Sequence, residues 1–267
     1  MRAAEAIRKA VAEVARLRDD ALASPSLGEA IRTVKRYQAL RFAATYGDLL
    51  GDQQYGRATR FFLEELYGER NYQERDAQFG QIAGTLQRLL PNAALTTAVA
   101  LAQLHALSEK FDHAMAIAWI ELEPMRKDTD TTTRYIDAWR IVGGRAKREA
   151  QLRIVLEIGS ELEHQTKIPG LHLMLKMMRG PSLAAGLGTL QTFLQTGFDI
   201  FASMGKHSPG ATGFLAIVQS RESNLINLLF DADITTCRSA LELKLDATQS
   251  VTVGAGGRSC LYRNQIL

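Results

Sequence analysis

An all-α fold is what this sequence predicts, on three observations. Apolar residues return at three- and four-residue spacing from residue 3 to residue 230. No segment before residue 230 alternates apolar and polar residues for long enough to read as a strand. Six prolines in 267 residues leave room for many long helices. The expectation is a single multi-helix, bundle-like domain with more than about two thirds helix, against roughly one third in an ordinary globular protein.

The elements are justified in chain order. Residues 3–22 carry Ala, Val and Leu on one side, and Ser24-Pro25-Ser26 ends that helix, with Ser26 placed to cap the next. A second helix is expected from Leu27 to Leu50, followed by a break at Gly51-Asp52. The next helix holds Tyr55, Phe62 and Leu66 on one stripe, widened by Leu63 and stopped by Gly68. Asn71 opens another helix, and Pro91 suits the first turn of the one after it, which runs over 92–122. The threonine-rich stretch 124–133 reads as a loop, and it is the best place to divide the domain into halves. Tyr135 to Val142 is a short helix stopped by Gly143-Gly144, and a longer one covers 145–166. A short helix is expected over Leu171–Met178 and another helix over 182–203, interrupted in composition by Gly186, Gly188 and Gly197, then a loop from Gly205 to Gly213 and a helix from Phe214 to Phe230. From Ile234 the stripe is lost, and Ser250-Val251-Thr252-Val253 reads as an extended piece before a glycine turn. The expected organisation is therefore a helical domain over 1–231 with a peripheral, disorder-prone tail over 232–267. Deletion after Asp231 is expected to leave the helical core folded.

Composition narrows the function classes. Hydrophobic residues make up 46% and charged residues 23%, which suits a globular chain with a sizeable core. The longest apolar stretch, Ala93 to Leu107, is interrupted by Thr96, Thr97, Gln103 and His105 and is shorter than the ~20 residues that span a bilayer, so no integral membrane association is expected. The start of the chain lacks the apolar core of a secretory signal, and two cysteines, Cys237 and Cys260, make no disulfide framework. Both features point to the cytoplasm. Residues 1–41 hold nine Arg/Lys against five Asp/Glu, and 134–153 hold six against two. These basic stretches read as solvated helix faces. Without aromatic interleaving or a zinc pattern they do not point to nucleic acid.

Phe61-Phe62-Leu63-Glu64-Glu65-Leu66-Tyr67-Gly68 is the densest motif. Its aromatic side chains mark a helix docked deep in the assembly. Around it, Arg57, Arg60, Glu64 and Glu65 stand at ion-pair spacing, and Asp48 or Asp76 is placed to cap or pair with these arginines. The expected structural residues are Asp48, Arg57, Phe61, Phe62, Leu66, Tyr67 and Asp76. Together with Tyr46 to Leu50, Arg75-Asp76 and Leu187 through Phe201, the motif resembles an uncharacterised bacterial all-helical family over about residues 35–230. The resemblance implies the fold and brings no reaction with it.

Chemistry-bearing patterns are incomplete. Glu161 and His164, with Glu157 one turn earlier, have the spacing of one half of a di-iron carboxylate site, but the second half is missing. His105, with Asp112 and His113 further along the helix, is placed as a haem axial ligand, though no haem-attachment motif accompanies it. Gly186 and Gly188 do not form a phosphate loop, and no nucleophile elbow is present. No catalytic residue, cofactor or metal ligand is assigned. A non-catalytic interaction or regulatory protein, with a protein partner or a second copy, is the first reading. A small-molecule or tetrapyrrole binding protein is the second, with Met174, Met177 and Met178 as adaptable packing. A helical enzyme with a dispersed active site is the third.

Overall fold

The computed structural model describes residues 3–65, 73–89, 92–122, 130–205 and 208–254. They form an all-α, multi-helix bundle domain, with helices α1 (Ala3–Ala23), α2 (Pro25–Thr45), α3 (Gly47–Leu50), α4 (Gly56–Glu65), α5 (Gln73–Leu89), α6 (Asn92–Leu122), α7 (Thr131–Val142), α8 (Arg145–Gln165), α9 (Leu171–Met177), α10 (Arg179–Ala184), α11 (Gly188–Met204), α12 (Gly210–Asp231) and α13 (Ile234–Gly254). Leu66, Tyr67, the Gly68 stop, the start at Asn71, Pro91 and Cys260 lie outside the described residues.

The long α6 is the central post. It packs on α1, α2, α7 and α8, so its neighbours come from both sides of the 124–133 stretch and no division into halves falls there. Its 31 residues span about 46 Å at 1.5 Å per residue. Side-chain bonds show that α8 runs antiparallel to it: Gln151 Nε2 donates to Ser108 Oγ at 2.7 Å, and Gln165 Nε2 donates to Thr97 Oγ1 at 2.8 Å. The chain reverses into α8 at Gly143 and Gly144, both at positive φ (60° and 76°), where a side chain would be strained.

Three apolar clusters fill the bundle. One joins α2, α6, α7, α12 and α13 around Val34, Met115, Tyr135, Ile136 and Leu229. A second brings Phe42 and Tyr46 together with Tyr55, Phe62, Phe201 and Phe214. The third packs α1 on α5 and α6 through Ile7, Val14, Phe79 and Ala106. The predicted aromatic stripe is therefore a core face: Tyr55 and Phe62 both meet the Phe214 ring, at 5.6 and 5.5 Å.

Several boundaries differ from expectation. The helix expected over 27–50 is interrupted at Tyr46 (φ −117°, ψ 15°). It starts earlier, with Pro25 in the first turn, and Ser26 lies inside it rather than capping it. The threonine-rich stretch ends inside α7, because Asp130 caps the helix by accepting from the Thr133 N–H at 2.9 Å. Gly180-Pro181 sits inside α10 rather than outside a helix. Helix α12 begins at Gly210 instead of Phe214.

The largest correction concerns the tail. Ile234 to Gly254 is helical, including Ser250 to Val253, which were expected to be extended. Asp233 caps this helix by accepting from the Thr236 N–H at 2.9 Å. Cys237 and Leu241 are buried in the same cluster as Tyr135 and Leu229, so the segment from 234 contributes to the core rather than lying wholly at its periphery. Deletion after Asp231 strips those side chains away and is now expected to destabilise the bundle.

Candidate functional site

Four of the six basic residues of 134–153 are used within the fold, while Lys147 and Arg153 stay on the expected solvated face. Arg134 donates to Trp119 O in the last turn of α6 and lies over the Trp119 ring. Arg140 donates to Leu229 O and Ala232 O at the end of α12. In both cases a guanidinium meets carbonyls that a helix C-terminus leaves without intrahelical partners. Arg145 bonds Asn227 and Asp231. Arg148 differs from all three: it is only 5% exposed. Its guanidinium carbon lies 3.3 Å from the Trp139 ring centre and 4.2 Å from that of Phe111. Its Nε and Nη2 make no hydrogen bond.

Arg148 lines a partly open chamber of about 190 Å³. Ion pairs supply much of its wall. Lys35 Nζ is 2.6 Å from Glu109 and 3.7 Å from Asp112. Glu222 takes Arg41 at 3.5 Å and the Tyr46 hydroxyl at 3.0 Å. Asp76 accepts from Arg18 at 2.5 Å and holds His105 Nε2 at 3.0 Å. Tyr135, fully buried, and Trp139 line the same chamber, and the Tyr135 hydroxyl and the Trp139 indole N–H have no hydrogen-bond partner. Protein interiors hold few voids larger than a water molecule, and buried polar groups are normally satisfied. This chamber departs from both rules at one place.

Burial shapes the electrostatics. It pushes the Asp112 carboxyl above the ordinary carboxylate range, against the pull of Lys35 and with the repulsion of Glu109 added. The same burial works against the charge of Lys35, but Asp112 and Glu109 outweigh it and hold the ammonium above its usual value. Burial lowers Arg148 to about 10, with Tyr135 and Asp112 opposing the drop, so it stays charged at neutral pH. It also raises the Tyr135 phenol.

A second chamber, of about 210 Å³, adjoins the first. Phe62, Phe79, Leu101, Leu104, Val155 and Phe193 line both. Its wall is almost wholly hydrocarbon and continues through Ile158, Leu162 and Phe198. Gly159 and Gly197 belong to it. A Cβ at Gly159 would come 2.5 Å from Leu215 Cδ2, so this glycine makes room on α8 for the Leu215 side chain of α12.

The residues expected to be structural are dispersed. Phe62 lies in the wall common to both chambers, while Phe61 stacks on Phe193 at 5.6 Å beside the apolar one. Asp76 belongs to the charged chamber, paired with Arg18 and His105 rather than with Arg57 or Arg60. Asp48 is on the surface in a two-pronged bond with Arg221, both contacts 2.7 Å, and does not meet those arginines either. Arg57 is exposed, and Arg60 donates to Gly56 O and Leu50 O. Among the described residues, no three His, Cys, Asp or Glu side chains come together as a metal site. Glu157 and His164 are exposed, and Glu161 accepts from Gln165 at 3.2 Å. No described helix is long and apolar enough to cross a membrane. Sequence reading missed Lys35, Tyr135, Trp139 and Arg148 as a group. The one signal was Arg148 following Tyr135 and Trp139, themselves one helical turn apart, within the basic stretch.

These features define the class: an all-α, multi-helix bundle domain with two adjoining chambers, one charged and one apolar. The chain belongs to the family described as "Domain of unknown function (DUF8198)", which matches residues 17–236, from the middle of α1 into the first turn of α13. No curated protein and no solved structure matches the chain.

Proposed function

We propose that this protein binds a small molecule in the interior of its bundle. The observation that carries this reading is the pair of adjoining chambers, about 190 and 210 Å³, with buried polar groups left unsatisfied in one wall. An apolar cavity of ~150 Å³ already accepts a benzene-sized guest. Side by side, the two spaces exceed the ~300 Å³ at which small-molecule sites begin. Native mass spectrometry of freshly purified full-length protein, followed by thermal-shift screening against a metabolite library, tests the reading. A co-purifying mass or a saturable shift is expected. A bare chain mass with no stabilising compound would overturn it.

A protein-partner or regulatory role, with a second copy as one form of it, is the competing reading. It is favoured by Leu173, Met177 and Leu183, which are 62%, 70% and 57% exposed on α9 and α10. Sedimentation across a concentration series and affinity purification test it. An enzyme would draw on the charged chamber, where Glu109 and Asp112 from α6 and Tyr135 from α7 line one space. We further read the chain as a bacterial, cytoplasmic protein whose family carries the Phe61 to Gly68 motif, and nucleic acid is not among its partners. The resemblance of that motif, the two cysteines and the inward use of most of the basic stretch support this.

A further inference from the structure

The groups left unsatisfied in the charged chamber point one way. Its carboxylates are engaged: Glu109 by Lys35, Glu222 by Arg41 and Tyr46, Asp76 by Arg18 and His105. Asp112 lies within 3.7 Å of Lys35. The unused capacity is on donors, namely Arg148 Nε and Nη2, the Trp139 indole N–H and the Tyr135 hydroxyl. A ligand group that completes this wall has to accept hydrogen bonds.

The Arg148 atoms are also a particular pair. Nε–H and one Nη2–H form the side edge of a guanidinium, two parallel donors that match the two oxygens of a carboxylate. Trp139 and Phe111 lie against the guanidinium and leave this edge without a partner. A buried, unsatisfied cation is costly to keep, and a well-placed anion removes the penalty.

The chamber next door constrains the rest of the ligand. Leu101, Leu104, Val155 and Phe193 line both spaces, and beyond them the wall offers apolar surface. We infer that the ligand is an amphipathic monocarboxylate, with its carboxylate on the side edge of Arg148 and its hydrocarbon tail in the chamber between α6, α8 and α11. This inference rests on the small-molecule reading above. A single charge fits better than two, because Glu109, Asp112 and Glu222 line the same space and repel a dianion.

The test uses the full chain and four ten-carbon probes, decanoate, decyl phosphate, 1-decanol and decylammonium, with butyrate as a short carboxylate. Affinities are read by calorimetry and by tryptophan fluorescence. Decanoate is expected to bind at least tenfold tighter than decanol, with decylammonium weakest. Arg148→Gln is expected to lower decanoate affinity at least tenfold and leave decanol unchanged. The probe series on the native chain carries the head-group test even if that variant does not fold. Ala98→Phe, in the wall of the apolar chamber, is expected to exclude decanoate while still admitting butyrate. An unchanged chain-length profile in Ala98→Phe would overturn the placement of the tail. Decanol binding as tightly as decanoate would overturn the carboxylate assignment and leave small-molecule binding standing. Decyl phosphate binding more tightly than decanoate would replace the carboxylate with a phosphate. Failure of all four probes, with no co-purifying ligand, would overturn both this inference and the reading it rests on.

Discussion

The charged chamber and the apolar chamber share part of one wall, and α6 and α8 run along both, yet they are held in opposite ways. Along α6 the lining passes from Ala94, Ala98 and Leu101 to His105, Glu109 and Asp112. Along the antiparallel α8 it passes from Leu162 and Ile158 to Gln151 and Arg148. One end of the helix pair is thus hydrocarbon and the other is a set of ion pairs. The apolar end is stabilised by area removed from water, which is tolerant of direction. The charged end is stabilised only while each group keeps its partner, since removal of one member leaves a buried charge. The comparison teaches that the two ends should respond to substitution by different rules, with Arg148 as the exception at the charged end.

Phe62 belongs to both ends and should show the largest effect. Its replacement by alanine is expected to cost about 3–5 kcal/mol, because a buried aromatic ring is lost and the cavity is only partly refilled. A denaturant midpoint equal to that of the native chain would remove Phe62 from the core.

Phe62 also shows what was legible in the sequence. Tyr55 and Phe62 stand seven residues apart, two helical turns, so their common face could be read locally, and the structure places both against Phe214. The all-α class followed from the same local periodicity. Asp76 was singled out, but its partners were not, because Arg18 is 58 residues away and His105 is 29. The charge of Arg148 read as solvated because nothing local says that Phe111 and Trp139, from two other helices, will lie against it. The start of α13 was legible in principle: Asp233 followed three residues later by Thr236 is a capping pattern, passed over because the residues after it lack a stripe.

Asp76 is the sharpest test of the charged end. Asp76→Ala is expected to cost roughly 2–3 kcal/mol, since two charge-assisted hydrogen bonds go and Arg18, a quarter exposed, recovers water. The effect also has a pH signature. Burial raises the Asp76 carboxyl, but the bonds from His105 and Arg18 outweigh it and hold it below its ordinary value of 3.8. The stabilisation is therefore fully present above that value and is lost as pH falls through the lowered one. Acid unfolding of the native chain and of Asp76→Ala should converge below pH 3.8; curves that stay parallel would exclude the pairing.

A smaller effect is expected where α6 and α8 are tied to each other at the apolar end. Thr97→Val removes the hydroxyl that receives Gln165, which keeps Glu161 as a second acceptor, so the loss should be about 1 kcal/mol by chemical denaturation. The smallest change is expected at Arg148. Arg148→Met exchanges an unsatisfied charge for hydrocarbon of similar length, and its stability should fall within about 1 kcal/mol of the native chain, because relief of desolvation offsets the lost ring contacts. A loss as large as that at Asp76 would show that Arg148 is a structural cation like its neighbours, and the contrast within the charged end would vanish.

The two amide bridges between α6 and α8 have a metrical consequence. Thr97 and Ser108, which receive Gln165 and Gln151, are eleven residues apart on α6, about 16 Å at 1.5 Å per residue. Sliding one helix past the other by a single turn would break both bridges at once. The interval between them is thus a ruler cut into the backbone. A guest lying along the pair is measured against a peptide repeat that no side-chain rotation can stretch.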